Sequence, residues 1–221
     1  MVTATPARIV LLAVLPALCL STVGCVGWAV AAQPAAGAAS EPSTVVEHLQ
    51  GAFSRATHDV EVLSRFARAA DDRGYTQVGS LFRAGARSRQ VQRATFERLI
   101  KAAGGTPKAE TLAMPEFKGV KEALTVVRDA ALAERDKPLA AAMTKATSDK
   151  DADARKAFLA AREGLFELSQ YCKDALADVE AYRKGKRDYF VCKGCGYLLD
   201  RLDIRRCPVD NSPRESFEKV N

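Results

Sequence analysis

The most pointed chemistry in the chain sits near its C-terminus, in YFVCKGCGYLLDRLDIRRCPVDNSP. Cys192 and Cys195 form a C-x-x-C pair, and Cys207-Pro208 opens a second short turn that ends at Asp210. Two such turns let their ligands converge on one ion. Thiolates suit iron or zinc in tetrahedral geometry, and a carboxylate is an accepted zinc ligand. The spacing marks Cys192, Cys195, Cys207 and Asp210 as a Cys3Asp metal site, with Asp210 where a four-thiolate site would place its last sulfur. Gly194 and Gly196 allow turns tight enough for backbone N–H groups to face the sulfurs. Iron here would carry electrons at a potential raised by the hard carboxylate, whereas zinc would be purely structural. A disulfide is the competing reading, because Cys172, Cys192, Cys195 and Cys207 form an even set with three possible pairings. Cys172 lies among apolar neighbours on a helical stretch and is expected to be a buried free thiol.

Other reactive residues are less concentrated. His58 and Glu61 are spaced H-x-x-E, which puts them on one helix face. His48 is the other of the 2 histidines in the chain, so a solvated helix face is the simpler reading. Glu163 and Glu167 read as surface residues in the same way. Arg83, Arg87, Arg89, Arg93 and Arg98 make one stretch basic, either as a solvated face or as a docking surface for an acidic partner or a phosphate layer. The net charge of +6 is modest. With few interleaved aromatics, it argues against a nucleic-acid role.

The elements that must position these residues are helical. Aromatics make up 7% of the chain and alanine is abundant, which favours close-packed helices over sheets. Leu49, Phe53, Ala56, Val60, Leu63, Ala67 and Ala70 recur at three and four, and Arg73-Gly74 ends the run. Val78, Leu81, Phe82, Gly85, Ala86, Phe96, Leu99 and Ile100 outline a second helix. Residues 102–119 hold Gly104-Gly105, Pro107 and Pro115, and read as a long connection. A third helix starts near Lys121 and should kink or end at Pro138. Residues 147–154 read as a turn in which Ser148 or Asp149 caps a fourth helix carrying Phe158, Leu165, Leu168, Tyr171 and Cys172. A basic linker, 183–188, leads to the cysteine module. Two helical hairpins joined by a long crossover are the ferritin-like arrangement.

At this point the chain resembles the rubrerythrin family, a ferritin-like bundle carrying a di-iron site with a rubredoxin-like tail. The resemblance rests on HLQGAFSRA (48–56), RGYTQVGSLFRAGARSRQVQ (73–92), GGTPKA (104–109) and YFVCKGCGYLLD, and it spans nearly everything after residue 43. It implies a mainly α fold, a four-helix bundle with a small rubredoxin-like knuckle. It also implies peroxidase-type oxidoreductase activity at a pair of irons held by glutamates and Glu-x-x-His pairs. The positions that match those ligands read Ala56, Arg89, Gln92, Ala131, Glu134, Leu165 and Leu168. One carboxylate in that set cannot hold two irons, so loss of the di-iron centre is expected. Two readings of Arg89 and Glu134 stand side by side: they pair inside the bundle, a guanidinium replacing metal charge, or both side chains reach the surface. A residual peroxide-reducing activity would need Glu61, Glu134, Glu163 and Glu167 clustered in one cavity.

The organisation expected is therefore a signal peptide or membrane anchor over 1–31, a linker over 32–43, the bundle over 44–182 and the knuckle over 189–221. The first segment combines Arg8 with 24 uncharged residues and an Ala29-Val30-Ala31 cleavage pattern. It predicts a protein exported to the periplasm, or anchored facing it, that meets the membrane only through an uncleaved N-terminal segment. A redox partner protein fits an iron knuckle, and the family resemblance implies a homo-oligomer. A non-catalytic scaffold with a structural zinc or disulfide knuckle is the alternative to electron transfer.

Overall fold

A computed structural model describes residues 44–184 and 186–221. The segments expected to be an export signal and a linker, 1–31 and 32–43, lie outside the described residues. The described residues form one compact unit.

Helix α1 (Val45–Asp72) begins at a capping box. The Thr44 hydroxyl accepts from Glu47 N at 3.2 Å, and the Glu47 carboxylate accepts from Thr44 N at 2.7 Å. Gly74, at φ +77°, turns the chain back into α2 (Thr76–Ala102), which packs along α1. The crossover from 103 to 119 contains no helix, as Gly104, Pro107 and Pro115 require. It is held down along one stripe of α1. Gln50 accepts from Lys108 N and donates to Thr106 O, Ser54 accepts from Glu110 N and donates to Lys108 O, and His58 Nε2 lies 3.1 Å from Ala113 O. These three residues are four apart and so share one helix face.

The third helix of the bundle is broken in two. Helix α3 (Val120–Asp136) stops and α4 (Pro138–Ser148) restarts with Pro138 in its first turn, where a missing N–H leaves nothing unsatisfied. The cap of α5 (Ala152–Ala177) is Asp151, whose carboxylate accepts from Ala154 N at 2.9 Å. This corrects the expectation of Ser148 or Asp149. Helix α4 runs through Ser148 and Asp149 closes it, so the turn falls later, around Lys150 at φ +58°. A short further helix, α6 (Val179–Lys184), occupies the start of the stretch expected to be a basic linker.

The tail is a three-stranded antiparallel sheet in the order β2-β1-β3, formed by β1 (Tyr189–Cys192), β2 (Leu198–Leu199) and β3 (Phe217–Val220). Val191 pairs with Leu198 on one side and Glu218 on the other. The core runs from the bundle into this sheet. Phe66, Phe82, Leu124 and Leu168 share a cluster with Tyr189, Val191 and Leu198. Among the described residues no helix is long and apolar enough to cross a membrane.

Candidate metal centre

The tail is built as two matched turns. Cys192 to Gly196 closes with Gly196 N donating to Cys192 O at 2.8 Å, and Cys207 to Asn211 closes with Asn211 N donating to Cys207 O at 3.0 Å. Each ends in a left-handed residue, Gly196 at φ +80° and Asn211 at φ +60°, the types that tolerate this region best. The repeat places Cys195 and Asp210 at equivalent points of the two turns. Gly194 is equally constrained, because a Cβ there would run into the Asp210 carboxylate.

These turns bring Cys192, Cys195, Cys207 and Asp210 together, with all four ligand atoms within 4.8 Å of one another. Among the described residues this is where three or more such ligand atoms converge. Cys195 Sγ and Cys207 Sγ are 3.5 Å apart, close to the ~3.8 Å edge of a tetrahedron with ~2.3 Å metal–sulfur bonds. Cys192 Sγ lies 3.5 Å from Asp210 Oδ2, matching the ~3.5 Å expected between a thiolate and a carboxylate oxygen on one ion. The donor set thus fits iron or zinc. The four described cysteines, Cys172 included, are free and buried.

The surroundings favour a thiolate at Cys192, whose contacts in turn raise the Cys195 and Cys207 thiols. Backbone N–H groups of Cys195, Tyr197, Val209 and Asp210 face the three sulfurs. Contacts with the Cys195 and Cys207 thiols, then Ser212, hold Cys192 far below the ordinary thiol range, while the Cys192 contact raises Cys195. Asp210 Oδ1 accepts from both Ser212 N at 3.0 Å and Ser212 Oγ at 2.5 Å, which orients the carboxylate toward the sulfurs. The cysteines are buried and Asp210 is exposed. By contrast, burial drives the Cys172 thiol strongly upward, which leaves it inert.

Inside the bundle the structure brings together a different group. Arg89 is 1% exposed and Glu134 is 6% exposed. Arg89 Nη2 donates to Glu134 Oε1 at 2.7 Å and Oε2 at 2.9 Å, and Arg89 Nη1 donates to Gln92 Oε1 at 2.7 Å. Asp59 Oδ2 lies 2.9 Å from Arg89 Nε, an ion-pair contact without hydrogen-bond alignment. Asp59 is the member that sequence reasoning missed. It stands one turn beyond Ala56 on α1, and that i+3 spacing was the available signal. Burial raises the carboxyl of Glu134 while Arg89 pulls it back down. Ala56, Ala131, Leu165 and Leu168, the other positions matched to the family's ligands, are all buried and apolar.

The remaining candidates are dispersed. Glu61 is exposed and His58 is occupied by the crossover, so the H-x-x-E pair does not assemble a site. Glu163 is half-buried, and Glu167 accepts from the Tyr197 hydroxyl at 3.0 Å. Two of the five arginines of α2 dock the tail. Arg83 Nε donates to Asn221 O at 2.7 Å, and Arg87 Nε donates to Glu218 at 2.6 Å.

The comparisons with known proteins agree with this fold. No family model matches the sequence. The chain is similar to nigerythrin from Nitratidesulfovibrio vulgaris strain Hildenborough, 23% identical over 174 residues that cover 79% of this chain and 85% of that protein. Among solved structures, nigerythrin in its fully reduced, all-ferrous state superposes with a TM-score of 0.72 at 23% identity, over 82% of this chain and 90% of that one. Its mixed-valent state gives 0.72 at 22% identity, over 84% and 90%. The rubrerythrin resemblance read from the sequence is borne out. The fold is mainly helical, with a small antiparallel sheet at the C-terminus that matches the fold of nigerythrin, and a Cys3Asp group in that tail fits a rubredoxin-like knuckle.

Proposed function

We propose that this chain is a single-centre electron-transfer protein, with iron held by Cys192, Cys195, Cys207 and Asp210 and with no di-iron centre in the bundle. The observation that carries the reading is the contrast between the two interiors. The knuckle converges four ligand atoms within 4.8 Å, whereas the bundle holds a guanidinium bonded to Glu134, with buried alanine and leucine at the other matched ligand positions. Alanine and leucine have no donor atoms, and a buried cation repels further cations. The relatives support iron, since nigerythrin is described in an all-ferrous state.

Iron bound by thiolates supplies reversible one-electron chemistry. The chain contributes the rest. The three cysteines exclude water from their side of the site, the turn N–H groups stabilise charge on sulfur, and Ser212 holds the exposed Asp210 in place. Asp210 is harder than a fourth thiolate, which raises the potential and loosens the site. The carboxylates that a residual peroxidase would need, Glu61, Glu134, Glu163 and Glu167, do not share a cavity, which favours electron transfer over peroxide reduction. The uncharged N-terminal run and its cleavage pattern support export to the periplasm, where a redox protein would be the partner.

The test is voltammetry and visible absorption on iron-loaded protein prepared without oxygen, beside Asp210→Ala and Asp210→Cys. The reading expects reversible one-electron reduction with thiolate-to-iron absorption that changes in both variants. Asp210→Cys should lower the potential. A protein that takes up zinc alone, or whose spectrum ignores position 210, overturns it.

A further inference from the structure

The buried arginine and the knuckle are joined by a hydrogen-bond chain whose every link points the same way. Arg89 Nη1 donates to Gln92 Oε1 at 2.7 Å, Gln92 Nε2 donates to Ser88 Oγ at 3.2 Å, and Ser88 Oγ donates to Gly196 O at 2.5 Å. The carbonyl of Gly196 belongs to the peptide whose N–H, that of Tyr197, faces the Cys195 sulfur. The direction is fixed from both ends. A guanidinium has no acceptor, so the Gln92 amide must turn its oxygen to Arg89 and its nitrogen to Ser88. A carbonyl has no donor, so the Ser88 hydroxyl proton must point at Gly196.

The fold makes room for this chain. Gly164 on α5 leaves the notch it runs through. A Cβ there would stand 2.6 Å from Gln92 Nε2, 3.2 Å from Ser88 Oγ and 3.3 Å from Gly196 O. Ser88 and Gln92 are 3% and 2% exposed, so water does not compete for their hydrogen bonds. Hydrogen bonds aligned donor to acceptor in a low-dielectric interior polarise one another, and the last of them acts on a metal-ligating sulfur.

We propose that Arg89, Gln92 and Ser88 are positioning residues for the knuckle, a relay that strengthens the Tyr197 N–H bond to Cys195 and so stabilises the more negative, reduced form of the metal site. The inference rests on the single-centre reading above. It gives the guanidinium inside the bundle a use beyond filling space.

The experiment compares the wild-type protein with Ser88→Ala, Ser88→Thr, Arg87→Ala and the paired change Arg89→Met with Glu134→Leu. Each is examined iron-loaded for midpoint potential and zinc-loaded for the chemical shift of the Tyr197 amide proton. Ser88→Ala should move that proton upfield and shift the redox equilibrium several-fold against the reduced form. Ser88→Thr should restore both. The paired change removes one charge of each sign, so its net field is small, yet it should shift both readouts in the direction of Ser88→Ala. Arg87→Ala breaks the docking contact to Glu218 and a contact to Gln90, neither of which belongs to the relay, and should leave both unchanged. If iron binds with thiolate absorption but Ser88→Ala moves neither readout, the relay falls and the metal reading stands. If Ser88→Ala acts and the paired change does not, or if Arg87→Ala acts equally, the effect is one of docking and the relay is overturned. If neither metal binds, both readings fall together.

Discussion

A guanidinium that is 1% exposed needs its charge answered at close range. Arg89 has the Glu134 carboxylate on one edge, the Asp59 carboxylate beside Nε and the Gln92 amide oxygen between them. Removing the cation leaves a buried carboxylate unpaired. Arg89→Ala should therefore cost about 3–5 kcal/mol in denaturant unfolding, while Arg89→Met combined with Glu134→Leu should recover most of it. A small loss in the single variant would mean that the interior is wet and the cluster weakly coupled. The partnership of Arg89 with Glu134 was one of two readings the sequence left open, because both fall at positions where metal ligands would stand, and their burial decides for it. Asp59 was not legible there, because the expected ligand position on α1 is Ala56. An acidic residue three positions on, one turn further along α1, reaches the same interior space once α1 packs against α2. At the knuckle the residue types and their spacing point to the same four residues that the two turns bring together. Left-handed Gly196 and Asn211 explain why such short turns converge.

The four bundle segments and their order followed from apolar periodicity, and Pro138 marked the break in the third, but the short α6 was not foreseen. The caps were harder to read. Residues 147–154 offer several good capping side chains, and Asp151 prevails only because Ala142 and Ala146 continue α4 into the core. The strap across α1 could not be read at all, since Gln50, Ser54 and His58 look like an ordinary polar face until the crossover lies on them. His58 gives this element a pH dependence. The Asp59 carboxylate 3.7 Å from its Nδ1, opposed by burial and aided by the Ala113 carbonyl, raises its pKa above the ordinary 6.5. The folded state thus binds the proton more tightly than the unfolded chain. Its stabilising contribution is fully present below pH 6.5 and is lost as the pH rises through the higher folded value. Thermal melts across this range should show wild-type stability declining and His58→Gln nearly flat, in buffers matched for ionic strength. Equal slopes would show that His58 does not titrate differently in the two states.

At the scale of the whole molecule, the tail is part of the bundle rather than an appendage. Gln77 brackets Arg187 with two backbone hydrogen bonds, the Tyr171 hydroxyl accepts from Asp200 N, and Arg83 and Arg87 hold β3 and the chain end. The basic face of α2 that read as a possible partner surface is in part an internal docking face. Sequence periodicity could not show this, because the partners lie more than a hundred positions away. A metal that binds only the folded knuckle should then stabilise the entire unit by mass action. Metal-loaded protein should melt in one transition, and a strong chelator should lower that transition as a whole. Two separate transitions would mean that the tail folds independently.

The most direct measurement is metal content per chain after anaerobic reconstitution with excess ferrous iron and removal of loosely bound metal, on wild-type protein and on Cys192→Ala with Cys195→Ala. About one iron per wild-type chain and essentially none in the variant is the result expected of a single thiolate–carboxylate centre. About three irons per wild-type chain, with about two surviving the loss of both cysteines, would place a di-iron centre in the bundle and contradict the role assigned to Arg89.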